Sequence, residues 1–421
     1  MRLDPLVKRL SKQRAVVIVM IISSKSAVRN VSAVGFALLF PGFLVYHTLL
    51  SLRLIPPFIG GGFGPTAASL AVLYVILLPK ITPMLTREVG WYLLWVVALL
   101  VYVTLWTVAH FFIGSASRTA AVQSIETAIL WFVLFFVGCL LPFESQKLSR
   151  LFFLCFWLMV GYLAFFVIST GDLMFYARQQ AAEGSETAVA TYQGFARSAL
   201  VINIFLLAVR KSIRERVAIL TLGIFSLFVL GARSELYAFI SAALVLLGVW
   251  ALKSTKYKII FVLLIFASGL VGGSMLDKLA PSRQLQVLDL DSSSSWMARK
   301  ELKSRAMTNI YSNPVFGSFG AHVSDDGSTG EYAHNFLSAW ANYGVIGLFL
   351  YVGITAWALL GAGAKVLFYR SENPVWTMAL AMSFISLLLM AVSKSVFWPV
   401  PALAWGVYAQ AVWSTKQLHS S

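Results

Sequence analysis

The chain has 421 residues, of which 59% are hydrophobic and only 12% are charged. A soluble domain is typically about one quarter charged, so this composition excludes an ordinary water-soluble fold. Many apolar runs of roughly twenty residues are long enough to cross the hydrocarbon core, and their continuity excludes the alternating strands of a membrane barrel. The sequence therefore predicts an all-α, polytopic membrane protein.

The formal net charge of +16 would suit a nucleic-acid-binding protein. The Lys and Arg residues, however, lie mainly in short loops between apolar runs, where they act as orientation signals. We therefore expect no nucleic-acid partner. Cys139 and Cys155 both fall inside apolar runs, so the sequence predicts neither a disulfide framework nor a metal site, and we expect no cofactor.

About twelve spans are predicted at the usual length of roughly twenty residues. Residues 1–32 precede them as a basic arm, whose apolar run is too short to span and is followed by no cleavage site. Residues 33–276 hold spans one to nine, 336–413 hold spans ten to twelve, and 414–421 form a tail. The spans are centred on Phe36–Leu50, Ala67–Leu78, Trp91–Phe112, Ile125–Leu141, Leu151–Ile168, Ala196–Val209, Val217–Leu230, Tyr237–Leu252, Ile259–Leu276, Val345–Phe368, Val375–Val392 and Pro401–Val412.

Basic residues concentrate in alternate loops, including residues 210–216 and 253–258. The positive-inside rule places these loops, the arm and the tail in the cytoplasm. The longest polar segment, residues 277–335 between spans nine and ten, is then a periplasmic loop. Its density of apolar residues predicts an ordered subdomain with a helix around Trp296–Tyr311, ended by Asn313-Pro314.

The segment from Gly330 to Val352 runs from this loop straight into an apolar helix. It holds His334 at the mouth of a span, where a water-borne group and a lipid-borne group can meet. Histidine is the side chain that changes charge near neutral pH without help, which suits His334 to proton transfer. The alternative is a polar loop histidine at an interface.

Arginines gather on the same predicted side of the membrane, against the usual charge bias. Arg233 lies in a tight connection between two spans, with Glu235 two residues away. A guanidinium group matches a phosphate bidentately, so an anionic substrate accounts for this clustering. A local ion pair or headgroup contact is the alternative. The other arginines singled out are Arg178, Arg197, Arg299 and Arg305, and Glu331 is placed to orient His334.

Three stretches together resemble the O-antigen ligase and O-antigen polymerase family of membrane glycosyltransferases. They are GARSELYAF at 231–239, PVFGSFG at 314–320 and AHNFLSAWANYGVIGLFLY at 333–351. The resemblance implies a GT-C-like inverting enzyme of the bacterial inner membrane. Such enzymes take an undecaprenyl-pyrophosphate-linked glycan as donor on the periplasmic face and use no metal.

Carried over by position, the resemblance makes His334 the base that deprotonates the acceptor hydroxyl. Arg233 would hold the donor pyrophosphate, with a second contact from Arg299 or Arg305, which spacing does not separate. Tyr332, Asn335, Arg178 and Arg197 complete the implied substrate-binding set, and Glu235 joins Glu331 as an orienting residue.

Three functions remain open at this point. A polymerase would join lipid-linked repeat units of O-antigen or exopolysaccharide, with membrane lipids and a chain-length regulator as further partners. A ligase would move the finished glycan onto lipid A-core. A secondary transporter would place its polar groups near the bilayer midplane, often within inverted repeats, and the sequence shows neither pattern.

Overall fold

The structure is a computed structural model that describes residues 26–52, 54–55, 63–173, 175, 186–263, 294–324, 327, 329–369, 371 and 373–420. In this part of the chain the regular structure is helical, and the one β-bridge joins Val323 to Thr329. The helices, in chain order, are α1 (Ser26–Leu50), α2 (Phe63–Thr82), α3 (Val89–Phe111), α4 (Ser115–Cys139), α5 (Gln146–Thr170), α6 (Glu186–Val209), α7 (Ile213–Val229), α8 (Arg233–Ala251), α9 (255–263), α10 (Ser294–Ser312), α11 (Leu337–Gly363), α12 (Pro374–Val392) and α13 (Val400–Ser420).

Among the described residues, eight helices are long and apolar enough to cross a membrane. They are α1, α2, α3, α4, α5, α8, α11 and α12. In α6 the apolar part, Gln193–Val209, is shorter. The protein is therefore an all-helical, multi-pass membrane protein, as the composition predicts, while the count of twelve spans stays a prediction.

The first span begins at Ser26, earlier than the predicted boundary at residue 33. Two polar residues near its start have partners elsewhere in the chain. Ser32 is fully buried and shares a 2.8 Å hydrogen bond with the Tyr74 hydroxyl, while Arg29 pairs with Glu144. Because these groups have such partners, the helix can include residues that were predicted to belong to the basic arm.

The predicted loop helix is confirmed as α10, which ends at Ser312, just before Asn313-Pro314. Its side of the membrane stays a prediction. Ile310 and Ala306 of α10 form a small apolar cluster with Ala333, Leu337 and Ala341 at the start of α11. This packing holds α10 against the segment that carries His334.

Helices α4 and α13 cross in backbone contact at a pair of glycines. A Cβ atom added to Gly138 would lie 2.6 Å from the Leu403 carbonyl oxygen and 2.9 Å from the Val407 nitrogen. A Cβ on Gly406 would in turn collide with the Phe135 carbonyl. Small residues of this kind let membrane helices approach closely, where packing rather than the hydrophobic effect holds them together.

We expect Gly138→Ala to destabilise the bundle by about 1–3 kcal/mol, because the helices must separate to admit the methyl group. Gly161→Ala is the matched control, since nothing lies within 4 Å of the added Cβ. Replacing an unhindered helix glycine with alanine is stabilising by roughly 0.5–1 kcal/mol. Thermal unfolding in detergent measures both variants. Equal melting temperatures for the two would contradict the close crossing.

Candidate active site

The His334 segment is anchored by a turn that docks against a break in α11. Gly344 has a φ of 66° inside α11, and Gly317 has a φ of 73° in the turn. A Cβ on Gly344 would collide with the Val315 carbonyl, so only glycine fits here. The Ser318 nitrogen donates to the Ala341 carbonyl at 2.6 Å across the same contact. The PVFGSFG turn and the ANYG stretch of α11 therefore pack directly against each other, backbone to backbone.

The break frees backbone carbonyls that neighbouring side chains then satisfy. The Tyr102 hydroxyl of α3 donates to the Tyr343 carbonyl at 2.7 Å, and Trp106 Nε1 donates to the Asn342 carbonyl at 3.1 Å. In a membrane, irregular backbone is tolerated where protein groups complete its hydrogen bonds. Helix α3 thus supports the broken start of α11, the helix that follows His334.

A second loop, residues 393–399 between α12 and α13, is tied to the same start of α11. The Val396 nitrogen donates to Ser338 Oγ at 2.8 Å, and Ser338 Oγ donates to the Asn335 carbonyl at 2.7 Å. Asn335 Oδ1 accepts from the Leu337 nitrogen at 3.0 Å, in a turn just before the helix. Asn335 was predicted to bind substrate, but its side-chain oxygen is engaged by the backbone. These bonds bring Lys394 of that loop toward His334.

His334 is half-buried in a positive environment. Its ring lies 5.3 Å from the Tyr332 ring, edge to face, and the cations Arg299 and Lys394 lie within electrostatic range. Burial, followed by the charges of Arg299 and then Lys394, lowers the pKa of His334 from 6.5 to about 4. The imidazole is therefore neutral at pH 7, with a lone pair able to accept a proton.

Lys394 also forms an ion pair with a buried residue of α8. Its Nζ lies 2.6 Å from Glu235 Oε1, and the side chains of Lys394 and Glu235 are only 14% and 3% exposed. Ser234 Oγ donates to Glu235 Oε2 at 2.8 Å. A buried carboxylate needs such partners to stay ionised. The predicted orienting residue Glu235 thus holds Lys394, which the sequence analysis did not single out.

Arg197 of α6 also acts electrostatically on Glu235. Its guanidinium interacts with the Glu235 carboxylate and lies 4.5 Å from the Phe63 ring centre and 5.3 Å from that of Phe43. The buried His47 of α1 also interacts with Arg197. We name the set His334, Arg299, Lys394, Glu235 and Arg197 the His334 cluster.

The other predicted residues lie around this cluster. Arg233 is the first residue of α8, two positions before Glu235, and its charge acts on Tyr237. Arg305 Nη1 and Nη2 each donate at 2.8 Å, to Glu331 and Glu301 respectively. Glu331, predicted to orient His334, is therefore held by Arg305. Arg178 lies outside the residues that the structure describes.

The sequence analysis did not identify Lys394 or His322 as site residues. Lys394 interrupts the apolar stretch between spans eleven and twelve on the predicted external side. A basic residue there runs against the positive-inside rule, which is the same signal that singled out Arg233. His322 is 4% exposed, its Nε2 lies 2.9 Å from Gln123 Oε1, and its ring is 6.0 Å from that of Tyr332. No local pattern indicates this contact, because Gln123 lies far away in the chain.

No family model matches the chain, and no curated protein sequence matches it. The side chains of the His334 cluster and the three motifs are therefore the features that bear on function.

Proposed function

We propose that this protein is a membrane glycosyltransferase that transfers an undecaprenyl-pyrophosphate-linked glycan to an acceptor hydroxyl, joining repeat units of O-antigen or exopolysaccharide. The observation that carries the proposal is the half-buried imidazole of His334, which lies against the Tyr332 ring and within electrostatic range of Arg299 and Lys394. A proton acceptor beside fixed cations is what transfer from an anionic leaving group requires.

The charge of the His334 cluster suits a diphosphate. The cluster contains three cations, Arg197, Arg299 and Lys394, and one carboxylate, that of Glu235. With a neutral imidazole it therefore carries two positive charges in excess. A pyrophosphate diester carries two negative charges, so its binding offsets the repulsion between these cations and Arg233, the proposed first contact.

The proposed reaction uses these groups as follows. The acceptor oxygen attacks the anomeric carbon, and the bond from that carbon to the pyrophosphate oxygen breaks. The hydroxyl proton passes to His334, and undecaprenyl pyrophosphate leaves with the bonding electrons. The cations stabilise the charge that develops on the leaving group. Bound pyrophosphate also screens His334 from Arg299 and Lys394, which makes the imidazole more basic in the complex.

The contacts favour Arg299 over Arg305 for the second donor contact. Arg299 acts on His334, whereas the exposed Arg305 is engaged by two carboxylates. Arg233 fits the first contact, because it begins the helix that carries Glu235. Arg305 is better described as a residue that holds Glu331 to α10.

The position of the His334 cluster favours an enzyme over a transporter. Glu235 is near the start of α8, Lys394 follows the end of α12, and His334 precedes α11. Glu235, Lys394 and His334 are therefore at one end of these helices, not at their midpoint. We place this end at the periplasmic face of the inner membrane, with both termini cytoplasmic, because the basic residues 210–216 and 253–258 lie at the opposite end.

A reaction with purified protein reconstituted in sealed proteoliposomes tests the proposal. Lipid-linked repeat units alone should give a ladder of lengthened glycans, which identifies a polymerase. Product that forms only when lipid A-core is added identifies a ligase, the alternative with the same chemistry. If neither acceptor gives product while a labelled substrate crosses the membrane, the protein is a transporter and the proposal is wrong.

The pH dependence of kcat/KM reports the pKa of the base in the free enzyme. Because the pKa of His334 is lowered from 6.5 to about 4, activity should persist as pH falls from 7 to 5 and decline near pH 4. Arg299→Gln removes a charge that lowers this pKa, so the decline should begin at higher pH. Arg305→Gln is the matched control and should leave the profile in place. A wild-type decline already centred at pH 6.5 would contradict the assignment.

A further inference from the structure

A separate cavity of about 280 Å³ lies at the opposite end of the bundle from the His334 cluster. Helix α8 connects the two, with Glu235 at one end and Trp250 in the cavity wall. At 1.5 Å per residue these positions are roughly 20 Å apart along the helix. The nineteen residues of α8 match a hydrocarbon core of about 30 Å, so the cavity lies at headgroup level in the other leaflet.

Three of the described residues that line the cavity are cations: Lys211, Arg216 and Lys253. Arg216 is held rigidly, since its Nε donates to the Arg210 carbonyl at 2.7 Å and its Nη1 to the Tyr257 hydroxyl at 2.8 Å. Its guanidinium carbon lies 4.0 Å from the Trp250 ring centre. A fixed guanidinium of this kind is preorganised for a phosphate.

The remaining lining suits an amphipathic ligand. Among the described residues that line the cavity, none is acidic, and Glu215, next to Arg216, pairs with Arg210 at 3.1 Å instead. The hydroxyl group of Ser254 supplies a neutral donor, while Thr377 Oγ1 donates to the Asn373 carbonyl at 3.3 Å. Apolar side chains form the rest of the wall, at Leu246, Val249 and Val366.

We propose that this cavity binds the phosphodiester headgroup of an anionic phospholipid from that leaflet. Basic pockets between membrane helices recognise such headgroups in this way. The apolar wall favours a lipid over free phosphate, because it gives the glycerol and the first acyl carbons a surface to contact. The site is independent of the His334 cluster and of the reaction proposed there.

Native mass spectrometry of the full-length protein in detergent tests this site. The delipidated protein is titrated with dioleoyl phosphatidylglycerol, dioleoyl phosphatidylcholine or inorganic phosphate. We expect one phosphatidylglycerol to be retained about tenfold more tightly than phosphatidylcholine, because the cavity supplies cations and no carboxylate from its described lining. The triple variant Lys211→Gln/Arg216→Gln/Lys253→Gln should abolish this preference.

The matched control removes three charges at the same end but outside the cavity, at the exposed Arg214, Lys256 and Lys258. Substituting these with glutamine should leave the preference intact. Lys211→Glu, an exposed single change, should weaken retention about fivefold or more and covers the case in which the triple variant misfolds. Equal losses in both triple variants, no effect of Lys211→Glu, or retention of phosphate in place of the lipid would each overturn the proposal.

Discussion

Replacing His334 with alanine is expected to abolish glycan transfer, lowering kcat by about 10²–10⁴-fold, the usual contribution of a positioned general base. The half-buried side chain contacts Tyr332 through its ring edge, so its loss leaves the backbone hydrogen bonds of Asn335 and Ser338 in place. The variant should therefore fold and insert. Turnover of lipid-linked repeat units, with thermal unfolding measured in parallel, separates catalysis from stability.

His110→Ala is the control for that substitution. His110 lies near the same end of the bundle, but its Nδ1 is bonded to the Trp106 carbonyl of its own helix at 2.8 Å. It should keep most of the wild-type turnover. Arg233→Ala should abolish transfer as His334→Ala does, because the donor loses its first phosphate contact. Full turnover by His334→Ala in vitro would show that the base has been assigned wrongly.

The second large effect is expected at Glu235. Glu235→Gln removes the buried carboxylate that pairs with Lys394 and acts on Arg197, leaving two partly buried cations without it. Removing one partner of a buried ion pair costs about 3–5 kcal/mol. Lys394→Gln should cost less, because Arg197 still faces the carboxylate. Chemical denaturation of the two single variants measures this asymmetry.

The double variant Glu235→Gln/Lys394→Gln, compared with the two single variants, gives the coupling free energy between Glu235 and Lys394. It should be more stable than Glu235→Gln alone, since it removes a cation that has lost its partner. Phosphate analogues should also stabilise Glu235→Gln more than the wild type, because an added anion replaces the missing carboxylate. Equal destabilisation by both single variants, with additive effects in the double variant, would mean that the pair is not coupled.

The composition was enough to predict the class of fold. Long apolar runs require helices in a membrane whatever their neighbours are, so the all-helical, multi-pass architecture follows from local sequence. Helix α10 was predicted for the same reason, because Asn313-Pro314 ends it locally. The break in α11 was not predicted. Spans ten to twelve were expected to begin at residue 336 and the helix begins at Leu337, but no local pattern indicates the break at Gly344, where Tyr102 and Trp106 complete the backbone bonds.

For the candidate site, the sequence indicated several of the residues but not the contacts between them. His334, Arg299, Arg197 and Glu235 could be singled out because charged or titratable groups near apolar spans are costly and need a reason. Which of them meet depends on contacts between residues distant in the chain, and hydropathy carries no such information. The pairing of Lys394 with Glu235, the engagement of Arg305 by Glu331 and the position of the basic cavity at the far end of α8 were decided only by the packing of the helices.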